Sequence, residues 1–526
     1  MADIALGKVD IAVVGAGVAG SYAAWRLKRA RPRASVALFE MSDRVGGRLS
    51  STTVPGLPHV TVELGGMRFI PERHRIVAGL VDELGLPVAG LAPVPPPGDD
   101  GGDNLAFVRG RLLRVRELAD PGKVPYRLAP AERGLTPDQL RDRLRLRFGP
   151  SCGHAGAREF EAPVLGRALY AHGFWDLVSQ VHSTEARQLM LDCFPEVANG
   201  TAALALRPND LAASIHAQTI AGGFDRLPRA LADLFVGDGG ELFRNHRLHG
   251  IHRCPGQPYV LRFVRTATLQ GATADLDPVD DVEVRAVRVV LALPRRALEL
   301  VRWDPLRGDR RLGALIRSVV GCAAVRLFLA YPAPWWRGLN IVAGRSVTDL
   351  PIRQIRYLGT EGEMCEGDPR NRGSLLMVGW SDAKAVRWWR SRDPAPPPVA
   401  GGSPSLVAGG ALRRGVCGTM VAEVQRQIAL AHGMARVPDP SWVLYQDWTR
   451  DPFGAGWHAW KPGVRFWEVM PALRCPSGEE VGICGEAYSL RQGWVEGALQ
   501  STELMLQERF GLPRAGPWPP DDDPGP

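Results

Sequence analysis

Lysine is scarce in this chain. Of its 64 basic residues, only Lys8, Lys28, Lys123, Lys384 and Lys461 are lysine; the rest are arginine. The arginines are interspersed with acids and form no long basic run, which excludes an extended nucleic-acid surface. The net charge of +8 leaves a mild positive field suited to small anionic molecules. Cys-x-x-Cys is absent too. The eight cysteines are scattered without metal-ligand spacing, so neither a disulfide scaffold nor a zinc site is expected. No apolar run approaches the length of a membrane span. No basic segment leads into a hydrophobic one before the first strand, so a cytoplasmic protein without a membrane partner is the expectation. Internal repeats are lacking. The 526 residues leave room for two or three domains.

What is present is concentrated between Lys8 and Arg68. Val9-Asp10-Ile11-Ala12-Val13-Val14 reads as a buried strand. Gly15-Ala16-Gly17-Val18-Ala19-Gly20 follows, then a helical stretch from Ser21, then a second apolar run, Ser35–Phe39, ending in Glu40. Strand, glycine turn, helix, strand, acid is the dinucleotide fingerprint in its proper context. Gly15 permits the tight turn. Gly17 lets the backbone approach a pyrophosphate, whose charge is then met by unpaired N–H groups of Val18 and Ala19 at the helix start. Gly20 lets the helix lie close on the strand, and Glu40 is placed to accept from ribose hydroxyls. This pattern alone leaves nicotinamide and flavin open.

The residues beyond Met41 narrow the choice. Arg44-Val45-Gly46-Gly47-Arg48 and Gly65-Gly66-Met67-Arg68 each join a glycine pair, which admits a cofactor to the backbone, to a guanidinium. Together with Glu40 these segments resemble the FAD-dependent amine oxidases, and the Gly-Gly-Met-Arg form is similar to the L-amino-acid oxidase branch. The resemblance recurs at Val481–Ala487 and at Gly493-Trp494-Val495-Glu496-Gly497-Ala498, and so spans most of the chain.

The resemblance implies an α/β fold. A Rossmann-like FAD-binding domain of the glutathione-reductase type would carry a mixed-sheet substrate domain and an inserted helical subdomain. The implied division is 5–60, 222–299 and 472–513 for the FAD domain, 61–115 and 300–471 for the substrate domain, and 116–221 for the helices. Residues 514–526 form a Pro- and Asp-rich tail expected to be disordered. It implies cofactor contacts from Gly15, Gly17, Val18, Ala19, Gly20, Glu40, Met41, Arg48, Gly65, Gly66, Met67, Arg68, Leu248, Glu486, Gly493, Trp494, Val495 and Ala498. Leu248 stands where relatives often have a valine whose backbone meets adenine. Relatives with thioether-bound flavin carry a cysteine in the segment matching Phe453–Trp460; none lies between Cys417 and Cys475, so non-covalent FAD is expected.

Five residues are candidates for the chemistry. Arg68 can grip a planar carboxylate with two parallel bonds, which lysine cannot do. Tyr357 matches a segment that supplies a hydroxyl to the same carboxylate. Gly493 and Trp494 would set an aromatic wall beside the substrate amine, and Trp457, His458 and Trp460 are further lining candidates. Arg326 departs from the family, standing where many relatives have a lysine that reaches flavin N5 through water.

Among secondary elements, helices are expected over Pro71–Leu86, Thr136–Phe148, Phe160–Ala171, Ser183–Phe194 and Thr419–His432. Strands are expected over Leu242–Ile251, Val282–Leu293, Val325–Tyr331 and Ser374–Gly379, with an antiparallel excursion from Gln257 to Arg265. Pro93–Asp103 and Asp393–Gly410 read as loops. The activity implied is oxidation of L-amino acids by O2, giving 2-oxo acids, ammonia and hydrogen peroxide, in a possible homodimer. An oxidase of amines lacking a carboxylate, an amino-acid monooxygenase, a flavoprotein with poor oxygen reactivity and a nicotinamide dehydrogenase stay open on the sequence alone.

Overall fold

The computed structural model describes residues 7–90, 103–150, 157–194, 198–207, 217–254, 256–269, 272–276, 281–303, 309–365, 367–380, 382–392, 418–449, 453–454, 456–476 and 478–516. The expected loop Asp393–Gly410, all of Pro93–Asp103 but its last residue, and the tail beyond residue 516 lie outside these.

Strand β1 (Lys8–Val14), helix α1 (Val18–Ala30) and strand β2 (Val36–Phe39) form the expected crossover. β1 lies parallel to β2 on one side and to Asp281–Leu291 on the other. Glu241–Phe243 extends the sheet beyond β2, and Val481–Ile483, from the far end of the chain, pairs parallel with residues 289–291. The excursion is longer than expected: Tyr259–Leu269 runs antiparallel to both Asp281–Leu291 and His246–His252.

Alternation divides β1 between two cores. Ile11 and Val13 face α1, Arg226–Gly237 and Val495–Phe510, whereas Ala12 and Val14 face the opposite layer. α1 is locked to the last helix by a buried triad. Tyr22 Oη donates to Glu503 Oε2 at 2.7 Å, and Arg26 Nη1 meets the same oxygen at 2.7 Å. Both ions are nearly sealed, so each depends on the other to offset desolvation.

A second sheet of seven strands contains Val325–Tyr331 between Trp442–Asp447 and Ser374–Trp380. Gln354–Thr360, Gly344–Thr348 and the hairpin Leu105–Val108/Arg111–Arg114 complete it. Val325, Leu327 and Leu329 face a core shared with Gly418–Ala431; Phe328 and Ala330 face the hairpin of β3 (Ser51–Val54) and β4 (Leu57–Glu63).

Of the three helices expected between residues 136 and 194, two form, and each begins at a side-chain cap. Thr136 Oγ1 accepts from Gln139 N, whose side chain reaches back to the Thr136 N–H, and Ser183 Oγ accepts from Ala186 N. Phe160–Ala171 is not a helix. A single turn ends at Phe160, and Pro163–Val164 and Arg167–Ala168 then form a hairpin. Leu165 and Gly166 make its turn with φ of 46° and 81°, an arrangement of two positive φ values that matches hairpin twist. The helix expected over Pro71–Leu86 is shorter: α2 spans Arg75–Glu83. Among the described residues, no helix is long and apolar enough to cross a membrane.

Candidate active site

The site begins at the C-terminal end of β1. Gly15 has φ of 97°, and a Cβ there would stand 2.7 Å from the Ala292 carbonyl oxygen. A Cβ on Gly20 would lie 1.8 Å from the Gly15 oxygen, so only glycine lets α1 sit this close to the turn. Gly17 is the N-cap of α1, with no side-chain cap. Gly17 and Gly46 form a bridge, and a Cβ on Gly47 would reach 3.1 Å from Gly17 Cα. Two bare backbones thus meet over an uncapped helix start, and Val18 and Ala19 form its first turn. Arg44 holds the second backbone in place through the carbonyl oxygens of Gly47 and Leu49. Burial pushes its guanidinium down from the ordinary value, against the pull of Glu40 and Asp225.

Glu40 braces the same turn. Its carboxylate accepts from Ala16 N at 2.8 Å and from Ser42 N at 2.9 Å. His246 N donates to the Glu40 carbonyl at 2.8 Å, so the strand carrying Leu248 starts beside the acid; Thr266 Oγ1 donates to the Met41 carbonyl. Glycine turn, acid, Met41 and Leu248 therefore share one end of the first sheet.

The other half of the site is built around Glu486. Its carboxylate accepts from Arg48 Nη1 at 2.7 Å, Gly493 N at 2.7 Å, His458 N at 2.9 Å and His458 Nδ1 at 2.9 Å. Burial would raise its pKa, but Arg48 and His458 hold it well below the ordinary carboxylate range. One carboxylate thereby fixes three segments distant in sequence. Gly65 and Gly66 lie against Arg48: a Cβ on Gly65 would be 1.7 Å from the Arg48 oxygen, and Gly66 N donates to that oxygen at 3.1 Å. On the far side, a Cβ on Gly66 would stand 3.6 Å from Val495, at the start of the last helix. Ala498 is buried one turn later, its N–H directed to the Trp494 carbonyl.

Met67 and Arg68 leave this turn partly exposed, and the Arg68 guanidinium lies 5.8 Å from the centre of the Trp494 ring. Trp457 packs against Gly493, 3.7 Å from where its Cβ would be. His458 and Trp460 do not line an open surface. Both are buried, His458 on Glu486 and Trp460 with its indole N–H on the Ser489 carbonyl.

Arg326 faces the Gly65–Gly66 turn from the second sheet, with Nη1 donating to the Glu63 carbonyl at 2.5 Å. Burial lowers its pKa to about 10; the Glu63 carboxyl opposes that shift and Arg68 adds to it. Glu63 itself is pushed up to about 7, mainly by burial, although Ser51 Oγ and Phe224 N both donate to it at 2.7 Å.

Tyr357 is not part of this assembly. It shares a face with Ile355 on the far side of the second sheet from Arg326, is 3% exposed, and its hydroxyl lies 2.7 Å from both Ser346 Oγ and His432 Nε2. Strand alternation turns this hydroxyl into the core covered by Gly418–Ala431, on the opposite face of the sheet from Arg326.

Two contributors have no sequence signal. Trp448 donates its indole N–H to the Leu64 carbonyl at 2.7 Å, with Arg44 over its ring and its edge on Gly65. His74 packs on Trp494 with ring centres 4.6 Å apart. Both act across long sequence separations that no spacing rule encodes.

The uncapped helix start, the apposed glycines and the arginine-lined turn fit a dinucleotide with a flat ring at its far end. The family model for flavin containing amine oxidoreductase matches residues 18–397. The chain belongs to that family. This amine oxidoreductase is 29% identical over 524 residues to Aplysianin-A of Aplysia kurodai, covering 95% of this chain and 90% of that protein. It is 28% identical over 523 residues to the L-amino-acid oxidase of Mus musculus, covering 96% and 72% respectively. Among solved structures, putrescine oxidase bound to putrescine aligns with a TM-score of 0.64 at 18% identity, over 96% of this chain and 99% of that one. That likeness establishes the fold. Family membership makes this chain a FAD-dependent oxidoreductase of α/β architecture, and several of its relatives are L-amino-acid oxidases.

Proposed function

We propose that this amine oxidoreductase is an L-amino-acid oxidase. It would convert an L-amino acid, water and O2 to the 2-oxo acid, ammonia and hydrogen peroxide. The observation that carries this reading is Arg68, half-buried over the Trp494 ring beside the Gly65–Gly66 turn. A guanidinium set against an aromatic ring can take a planar α-carboxylate with two parallel bonds, which fixes its orientation.

The residues that would hold FAD are Gly15, Gly17, Val18, Ala19 and Gly20 at the pyrophosphate, Glu40 and Met41 at the ribose, and Leu248 at the adenine. Arg48, Gly65, Gly66, Met67 and Glu486 would bound the flavin half, with Gly493, Trp494, Val495 and Ala498 closing it. When bound, FAD would accept the hydride that leaves Cα, which carries both electrons, and O2 would take those two electrons onward. The protein orients and dries the substrate. Arg68 fixes the carboxylate and therefore the direction of the Cα–H bond. Trp494 and Trp457 offer the amine aromatic surface rather than water, which favours its neutral form. Arg326 keeps a second positive charge on the chamber wall.

Anaerobic titration of the yellow holoprotein with a panel of L-amino acids tests this. Bleaching by L-amino acids, inertness towards D-isomers and decarboxylated amines, and peroxide on re-aeration are expected. Bleaching by the amines as readily as by the acids, or an amide product in place of peroxide, overturns it. Arg68→Met should raise KM by ~100-fold, the cost of leaving a carboxylate without its charged partner.

A further inference from the structure

Trp494 meets a second ring as well as the Arg68 guanidinium. His74 is 1% exposed, whereas Trp494 and Arg68 are both partly exposed, and the buried imidazole packs on the indole with ring centres 4.6 Å apart. Its own orientation is fixed. Ile70 N donates to His74 Nδ1 at 3.0 Å, and His74 N donates back to the Ile70 carbonyl at 2.7 Å. Because Nδ1 accepts, the ring proton resides on Nε2 while this bond stands. His74 is also the N-cap residue of α2. That helix start is bolted to the segment after Trp494: the Glu496 carboxylate accepts from Ile76 N and Val77 N, both at 3.0 Å. Residues 70–77 and 494–496 are thus joined by two contacts, one between backbone and carboxylate and one between rings.

We propose that His74 is a positioning residue, fixing the Trp494 ring and through it the Arg68 guanidinium. A tryptophan at a helix N-cap has two free side-chain torsions, and a tilted ring 4.6 Å away removes that freedom. The Arg68 guanidinium lies against the same ring, so a wandering indole displaces the carboxylate grip. Displacement by about 1 Å can cost ~100-fold in an oriented reaction. The inference rests on the proposed L-amino-acid substrate for its kinetic consequence and on the structure alone for its spectroscopic one.

Two variants separate the ring from the hydrogen bond. His74→Asn keeps an acceptor for the Ile70 N–H and removes the ring; His74→Phe keeps a ring and removes the acceptor. Both are made in the full-length FAD-loaded protein labelled with 5-fluorotryptophan. The Trp494 fluorine resonance is assigned by its loss in Trp494→Phe. In His74→Asn that resonance should shift and broaden, and kcat/KM for the best L-amino acid should fall ~10-fold or more, with kcat lowered as well as KM raised. Benzoate, a carboxylate that cannot be deaminated, should bind ~10-fold more weakly by flavin difference spectroscopy. His74→Phe should restore all of these to near wild type. An unchanged fluorine resonance in His74→Asn overturns the proposal, as does His74→Phe being as impaired as His74→Asn. If no L-amino acid bleaches the wild type, the substrate reading fails, while the fluorine spectra still decide the role of His74.

Discussion

Glu63 gives the enzyme a pH dependence that can be worked out beforehand. Its carboxyl sits at the end of β4, 8% exposed, bridging Ser51 and the Phe224 N–H. Burial raises its pKa to about 7 from the ordinary 4.5. The unfolded chain therefore ionises Glu63 near pH 4.5, while the fold keeps the proton until about pH 7. Below 4.5 both states are neutral and nothing is lost. Between the two values stability falls by ~1.4 kcal/mol per pH unit, and above 7 the loss levels at ~3 kcal/mol. Glu63→Gln is nearly isosteric. Its amide oxygen can accept from Phe224 N, and its NH2 can donate to a rotated Ser51 hydroxyl. The comparison is urea unfolding of wild type and Glu63→Gln from pH 4 to 8.5. The stability of the variant relative to wild type should climb by ~3 kcal/mol across that range, with the midpoint near the middle of the window and a plateau above neutrality. Taking the difference cancels the titration of every other group that the substitution leaves untouched. A flat difference curve, or one that descends with pH, refutes the reasoning, because it would mean that Ser51, Phe224 and Arg326 together outweigh the cost of burial.

Three further substitutions probe the site. Gly65→Ala forces a methyl toward the Arg48 oxygen and should cost ~1–3 kcal/mol, read as a lowered melting temperature and loss of yellow colour on gel filtration; retention of both would mean that the turn is looser than it is drawn. Glu486→Gln removes the charge that faces Arg48 and His458 and should cost ~3 kcal/mol near neutrality. Since the folded pKa of Glu486 is depressed, its stabilising effect is present above the ordinary carboxylate range and fades in acid, so the deficit should shrink as pH falls below 4.5. Tyr357→Phe should cost ~1 kcal/mol from the lost hydroxyl contacts and leave KM for the amino acid unchanged, whereas a rise in KM would put the hydroxyl back beside the substrate.

Local chemistry was the legible part of this chain. The glycine fingerprint is readable because each glycine answers a steric demand within a few residues, and Thr136 and Ser183 announce their helices through caps three residues long. Val325–Tyr331 has the bounds expected from its apolar run. The hairpin at Leu165-Gly166 was written in Pro163 and Gly166, but the helix-like pattern read over Phe160–Ala171 masked it. Tyr357 shows a different limit. Being in the right segment fixes a strand residue to one of two faces, and which face looks inward is decided by the layers packed around it. Trp448 and His74 lie beyond any local rule, since each reaches its partner across hundreds of residues and only the assembled tertiary structure joins them.

The clasp made by Glu486 on Arg48, His458 and Gly493 also orders events in time. Strand 481–483 and the helix at 495–510 emerge from the ribosome hundreds of residues after the first crossover, yet they supply one wall of the cleft and the clamp on α1 through Glu503. A nascent chain can wind that crossover early but has nothing to close over a cofactor until these segments are made. Loading is thereby tied to their synthesis, and products that stop short of residue 480 should be colourless.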